Sequence, residues 1–210
     1  MDLPINQIIC GDCLEVMKGW PDNCVDLVLT DPPYGVNYAK WDSQIPHGWL
    51  KEACRVAKYV VFTPGNGNQH LYPEPVWTIC WARPGSVQRV RKGVGFSHWE
   101  PVLVYGATNP YMVDYKKLPA NTGAEKLGHP CPKPRALMYW LIKNSNTKGL
   151  VVDIFNGSGT TCVAAKMLGR DYIGIDISEE YCQIARDRIE AVEKGLTVKE
   201  LKKGQRSLFE

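Results

Sequence analysis

Four consecutive residues, Asp31-Pro32-Pro33-Tyr34, place a carboxylate and an aromatic ring directly after the apolar run Val25-Asp26-Leu27-Val28-Leu29-Thr30. A carboxylate beside a backbone carbonyl can accept both hydrogens of an exocyclic amino group, which sharpens the nitrogen lone pair for attack on a methyl donor. The tyrosine offers a flat face on which a base can stack. The same residues can also be read as a stiff turn, because two prolines end a strand ladder and hold the chain extended.

A second group is Asn156-Gly157-Ser158-Gly159, after the apolar run 150–155. Glycines let the backbone approach a ligand where a Cβ would collide. The third glycine of a dinucleotide fingerprint would fall at Cys162 and is absent, so the bare turn is a weak signal. Its context strengthens it. Asp176 ends the next strand about 20 residues on, where an acid bonds ribose hydroxyls. Two smaller features are Gly11-Asp12 after the first strand and His129-Pro130-Cys131-Pro132-Lys133-Pro134 before a helix. Alone, Asp12 reads as a surface acid and Lys133 as part of a proline-rich loop.

The elements that must position these groups follow from the periodicity. Strands are expected at 7–10, 25–30, 59–62, 76–82, 101–105, 150–155 and 172–175, several apolar throughout as in buried parallel sheets. Helical spacing covers 49–57, 134–144, 160–168 and 179–192, the last capped by Ser178. The second half reads strand, glycine turn, helix, strand, acid, helix: half of a doubly wound α/β sheet. Segment 83–98 reads as the long basic loop of an antiparallel hairpin, and 106–128 has no clear period.

Length and composition fit this. A chain of 210 residues with 44% hydrophobic and 22% charged content is expected to form one domain, here 1–194, followed by a flexible tail, 195–210. A formal charge of +3 permits a polyanionic partner without demanding one. The start has neither the basic nor the apolar region of a signal peptide. No apolar run approaches a membrane span. The eight cysteines are scattered, and the single Cys10-x-x-Cys13 has no second pair, which argues against zinc and for a reducing cytoplasm.

Taken together, Asp31-Pro32-Pro33-Tyr34, Phe155-Asn156-Gly157-Ser158-Gly159, His129 to Pro134 and His98-Trp99-Glu100-Pro101-Val102-Leu103-Val104-Tyr105 resemble the β-group of amino-directed DNA methyltransferases, from Ile8 to about Val192. The resemblance implies a Rossmann-like sheet with circularly permuted motif order, the first strand lying where a third cofactor strand belongs. It implies S-adenosylmethionine as cofactor and DNA as substrate, in a bacterial or phage setting that includes restriction-modification systems. Asp31, Pro32, Pro33 and Tyr34 would hold the target amino group. Asp153, Phe155, Asn156, Gly157, Ser158, Gly159 and Thr160 would flank the methionine part of the cofactor, with Asp31 close by and Lys133 near the carboxylate. Asp176 and Ile177 would take the ribose side, and Asp12 and Cys13 the adenine.

By the same resemblance the mechanism is direct transfer to nitrogen, with no metal and no cysteine nucleophile. Adenine N6 is favoured over cytosine N4, because the family's cytosine members more often carry Ser in place of Asp31. RNA or a protein amide as substrate, and a non-catalytic nucleic-acid-binding module, are the alternatives. The family's target-recognition region is shortened here to 106–128, which suggests a short site, relaxed specificity or a second subunit. Arg83, Arg89, Arg91, Lys92, Lys116 and Lys117 are the candidate phosphate contacts, unless they form merely a solvated basic surface. The terminal Gln205-Arg206-Ser207-Leu208-Phe209 resembles the short peptide by which bacterial replication proteins dock on a sliding clamp, and otherwise reads as a segment folded back on the enzyme.

Overall fold

A computed structural model describes residues 2–37, 39–85, 88–89, 95–106, 112–120 and 132–207. The elements run β1 (Gln7–Cys10), α1 (Cys13–Met17), β2 (Val25–Thr30), α2 (Trp49–Val56), β3 (Ala57–Phe62), β4 (Trp77–Ala82), β5 (Gln88–Arg89), β6 (Phe96–Ser97), β7 (Trp99–Gly106), β8 (Tyr115–Lys117), α3 (Arg135–Asn144), β9 (Val151–Asp153), α4 (Thr160–Met167), β10 (Tyr172–Asp176), α5 (Glu179–Glu193) and α6 (Val198–Ser207). Eight strands form one sheet in the order β1-β10-β9-β2-β3-β7-β4-β8. All neighbouring pairs are parallel except those of β7, which runs antiparallel to both β3 and β4. This is the doubly wound sheet expected from the sequence, with the expected antiparallel hairpin.

Side-chain alternation explains why the central strands are apolar throughout. Leu27 and Leu29 of β2 face a layer made by α3, α4 and α5. Val28 faces the opposite layer, made by α1 and α2. Adjacent strands repeat this, with Val61 on one face and Val60 and Phe62 on the other. Both faces are covered, so neither tolerates polar residues.

The chain reverses its direction of progress between β9 and β2. From β9 it winds through α4 to β10, and from β2 it winds the other way through α2 to β3. Such a switch point opens a crevice beyond the carboxyl ends of the two strands. β1 completes that side by pairing with β10 in parallel, Cys10 opposite Asp176. The first strand therefore does stand where the permuted order requires, and Gly11 and Asp12 come to lie beside the end of β10.

One element differs from expectation. Residues 198–207 form α6, where the sequence reading has a flexible tail. Thr197 and Glu200 make a capping box: the Thr197 amide donates to Glu200 Oε2 at 2.7 Å and the Glu200 amide to Thr197 Oγ1 at 3.3 Å. Leu201 is buried, and Lys202 pairs with Asp187 of α5 at 3.1 Å. The helix takes in Gln205 to Ser207, so docking them as an extended peptide would require its last turn to unwind. Leu208 and Phe209 lie outside the described residues. Among the described residues no helix is long and apolar enough to cross a membrane. Replacing the cap, Thr197→Ala, should cost the helix about 1 kcal/mol, read as faster amide exchange over 198–202; unchanged exchange there would show that the helix does not depend on its cap.

Candidate active site

The crevice holds a cavity of about 660 Å³, within the roughly 300–1,000 Å³ of small-molecule sites. Its walls come from the ends of β1, β2, β9 and β10 and from the loop after the Asp-Pro-Pro-Tyr segment, including Asp12, Asp31, Phe155, Asp176, Trp41 and Trp49.

On the β2 side, Asp31 Oδ1 is crowded with donors. It accepts from the hydroxyls of Tyr34 and Thr63, and Lys133 Nζ lies 3.1 Å away. Lys133 also donates to Tyr34 Oη at 2.5 Å and stands 3.8 Å from Glu100 Oε2. Arg83 approaches the other Glu100 oxygen at 3.9 Å. Burial pushes the Tyr34 phenol well above its ordinary pKa, and the Asp31 charge pushes it further. Burial works to lower the Lys133 pKa, yet the Asp31 and Glu100 carboxylates outweigh it, so the ammonium keeps its proton.

The backbone of the tetrapeptide is clamped. Buried Asp42 accepts from the amides of Tyr34, Gly35 and Val36 at 2.5, 2.9 and 3.3 Å. Asn68 donates to the Tyr34 carbonyl at 3.1 Å. The Tyr34 ring packs on Gly65, where a Cβ would come within 2.9 Å of it.

On the other side, β9 ends in Asp153, buried at 4% exposure. Its Oδ1 accepts from Thr30 Oγ1 at 2.6 Å and from the Phe155 amide at 3.2 Å. Burial raises its pKa to about 6 against these bonds, which pull it down. The glycine turn is held by two charged side chains. Asp176 Oδ2 accepts from the Gly157 amide at 2.7 Å, and its Oδ1 from the Ser178 amide at 2.9 Å. Buried Arg188 of α5 donates to the Ser158 carbonyl, Ser158 Oγ and Thr160 Oγ1 at 2.7–3.1 Å. Gly159 has φ +79°, and a Cβ there would meet Ala185 Cβ at 2.6 Å, so this glycine serves the packing of turn on helix. Asn156 Nδ2 is buried at the cavity and, among the described residues, has no hydrogen-bond partner.

The structure thus gathers Asp12, Cys13, Asp31, Pro33, Lys133, Asp153, Phe155, Asn156, Gly157, Ser158, Thr160, Asp176 and Ile177 around one cavity. Pro32 is buried behind it. Three details differ from the sequence reading. Asp12 caps α1, with Oδ1 accepting from Leu14 and Glu15 at 2.8 and 3.2 Å. Lys133 is engaged with Asp31 and Tyr34. The Tyr34 ring packs on Gly65 with its hydroxyl bonded, so it is not an open platform.

Of the phosphate candidates, Arg83 needs correction. It is 8% exposed, beside Glu100 and over the Trp81 ring, and so is not a surface cation. Lys116 and Lys117 lie on β8, Lys117 exposed and Lys116 over Trp140 at 5.4 Å. Arg89 lies on β5, while Arg91, Lys92 and His129 fall outside the described residues. Sequence reasoning missed Thr63, Asp42, Asn68, Glu100 and Arg188. Only Glu100 had a signal, its place in the His-Trp-Glu-Pro strand.

Comparison with known proteins gives the family and the fold. A family profile for N6/N4 methyltransferases, described as DNA methylase, matches residues 71–187. The YubD methylase homologue of Escherichia coli (strain K12) is 30% identical over 91% of this chain and 93% of its own length. The type II methyltransferase M.HpaI of Haemophilus parainfluenzae is 26% identical over 88% of this chain and 74% of its own. Among solved structures, the M1.HpyAVI–SAM complex superimposes with a TM-score of 0.61 at 25% identity, over 87% of this chain and 98% of that one. The cytosine-N4-specific PvuII DNA methyltransferase shares the fold, with a TM-score of 0.61 at 16% identity over 85% and 84%. The fold and site define an amino-directed methylase architecture. The chain belongs to the N6/N4 DNA methylase family.

Asp153 yields a prediction. Its folded pKa, about 6, lies above the ordinary 3.8. The folded state therefore holds the proton more tightly, and the group's contribution to stability is full below pH 3.8 and is lost as pH rises through about 6. Asp153→Asn should remove that dependence, about 3 kcal/mol between the two limits, in denaturant titrations at pH 4 and pH 7. An identical difference in variant and wild type would show that Asp153 is ionised at no cost.

Proposed function

We propose that this chain transfers a methyl group from S-adenosylmethionine to an exocyclic amino nitrogen of DNA, adenine N6. The carrying observation is the position of Asp31 at the tip of β2, on the same cavity as the glycine turn and Asp176. Asp at this position, where the family's cytosine members more often have Ser, favours adenine.

The residues present fit the cofactor. The cavity has the volume of a small-molecule site, and Asn156 Nδ2 is a buried donor with no acceptor among the described residues. Asp176 spends one lone pair of each oxygen on a backbone amide and keeps others for ribose hydroxyls. The M1.HpyAVI–SAM complex supports the same choice of cofactor. Held by the glycine turn, Asn156 and Asp176, S-adenosylmethionine would supply a methyl on a cationic sulfur that leaves as a neutral thioether, the methylated nitrogen giving its proton to solvent.

The chain's own residues orient and stabilise. Asp31 accepts from the target amino group, and its charge favours the positive charge that grows on nitrogen. Asp42 and Asn68 hold the backbone that carries Asp31, so its position is set before substrate arrives. The Asp31 side chain is only 25% exposed. A base stacked in a duplex cannot reach it, so the target is flipped out.

Transfer of labelled methyl to unmethylated DNA, followed by nucleoside analysis, should yield N6-methyladenine; label in N4-methylcytosine would reassign the base, and label in RNA alone would reassign the substrate. Asp31→Ala should abolish transfer and leave cofactor affinity within about tenfold, ~1.4 kcal/mol. A variant methylating at the wild-type rate would remove Asp31 from the reaction. Asp176→Ala should weaken cofactor binding by about 10- to 100-fold, the worth of hydrogen bonds to a charged group; unchanged affinity in calorimetry would place the ribose elsewhere.

A further inference from the structure

The donors on Asp31 Oδ1 pose a problem for the reaction just described, and this inference rests on that reading. An oxygen that already receives two hydroxyls and faces an ammonium at 3.1 Å has little capacity left for an amino N–H. The ammonium also opposes the positive charge that must develop on the target nitrogen. Asp31 Oδ2 can still accept from the amino group, so the ammonium 3.1 Å from Oδ1 is the obstacle, and transfer gains if it moves away.

The structure holds a second berth for that cation. Glu100, on β7, is 3% exposed, and its Oε2 receives no hydrogen bond from the described residues. A buried carboxylate oxygen without a donor is costly and calls for an explanation. Lys133 Nζ lies 3.8 Å from it, about one ångström beyond a charge-assisted hydrogen bond. Arg83, near the other Glu100 oxygen at 3.9 Å, helps to fix the carboxylate. Pro132 and Pro134 flank Lys133 and stiffen its backbone, so a shift between the two carboxylates falls to its side chain.

We propose that Lys133 is a two-position cation: it neutralises Asp31 in the resting site, and moves onto Glu100 when the target amino group arrives. Tyr34, whose hydroxyl takes a hydrogen bond from Lys133 and gives one to Asp31, loses the first of these in the same step and keeps the second. The Asp31 charge is then turned to the substrate, while the Lys133 charge remains compensated. Glu100 is a positioning residue that acts through Lys133. The account differs from one in which Lys133 holds the cofactor's carboxylate.

The test compares wild type, Glu100→Gln, Lys133→Met and the double variant, each measured for kcat on unmethylated duplex DNA and for S-adenosylmethionine Kd by calorimetry. Glu100→Gln keeps an acceptor but cannot neutralise Lys133, so kcat should fall about 10- to 100-fold, with cofactor Kd within about twofold. In the double variant no cation opposes Asp31, and kcat should recover by about tenfold over Glu100→Gln alone. A wild-type kcat in Glu100→Gln overturns the proposal, as does a double variant no better than Glu100→Gln. So does a loss of cofactor affinity beyond about tenfold in Lys133→Met. Should circular dichroism show Glu100→Gln unfolded, Lys133→Met decides: retained cofactor affinity supports the proposal and lost affinity overturns it. Absence of transfer by wild type would instead bring down the amino-methylation reading itself.

Discussion

The hydrogen bond from Thr30 Oγ1 to Asp153 Oδ1, 2.6 Å long, joins the two halves of the site. β2 and β9 pair only at Leu27 with Val151 and at Val28 with Val152. Beyond those pairs the chain leaves in opposite directions, and Thr30 Oγ1, which also accepts from the Phe155 amide at 3.2 Å, ties the strand tips. Thr30 and Asp153 are the last residues before the crevice, and both are buried. Their bond sets the separation between the tip that carries Asp31 and the tip that carries the glycine turn. It is made at the expense of a buried carboxylate whose proton is held up to about pH 6.

The two sides meeting at that bond use different chemistry. The β9–β10 side is built from backbone amides held in place, with Asp176 and Arg188 spending their charges on the turn itself. The β2 side is built from side-chain charges: Asp31, Lys133, Glu100 and Arg83 form a buried set with two charges of each sign. A rigid amide cradle suits a cofactor that binds in one pose. A balanced charge cluster can rearrange with little change in net charge, which suits a site that must admit a base and then stabilise a cation.

Much of this was legible in the sequence because it is carried by local pattern. Leu27-Val28-Leu29 and Val60-Val61-Phe62 read as buried strands, since each neighbouring residue faces an apolar layer. Asp31 and Gly157 read as strand-end residues because prolines and glycines mark where the ladders stop. The partners were not legible. Thr63 and Asn68 reach the tetrapeptide from other loops, Glu100 stands behind Lys133 on another strand, and Arg188 reaches the glycine turn from the next helix. No spacing rule links them. Arg83 misled because a charge in a basic stretch looks solvated until Glu100 and Trp81 are seen around it. The tail differed for another reason: the Thr197-to-Glu200 capping signal and Leu201 stand in the sequence, but the polar composition around them masked the helix.

Under the proposed function, one crevice holds the cofactor against β9 and β10 and turns its reacting end toward Asp31. A crystal structure with the product S-adenosylhomocysteine measures this most directly. The expected density places the adenosine between Asp176 and Gly11-Asp12, the amino acid part along the glycine turn, and the thioether sulfur facing the tip of β2. A ligand seated outside the crevice, or one whose sulfur points away from Asp31, would contradict it.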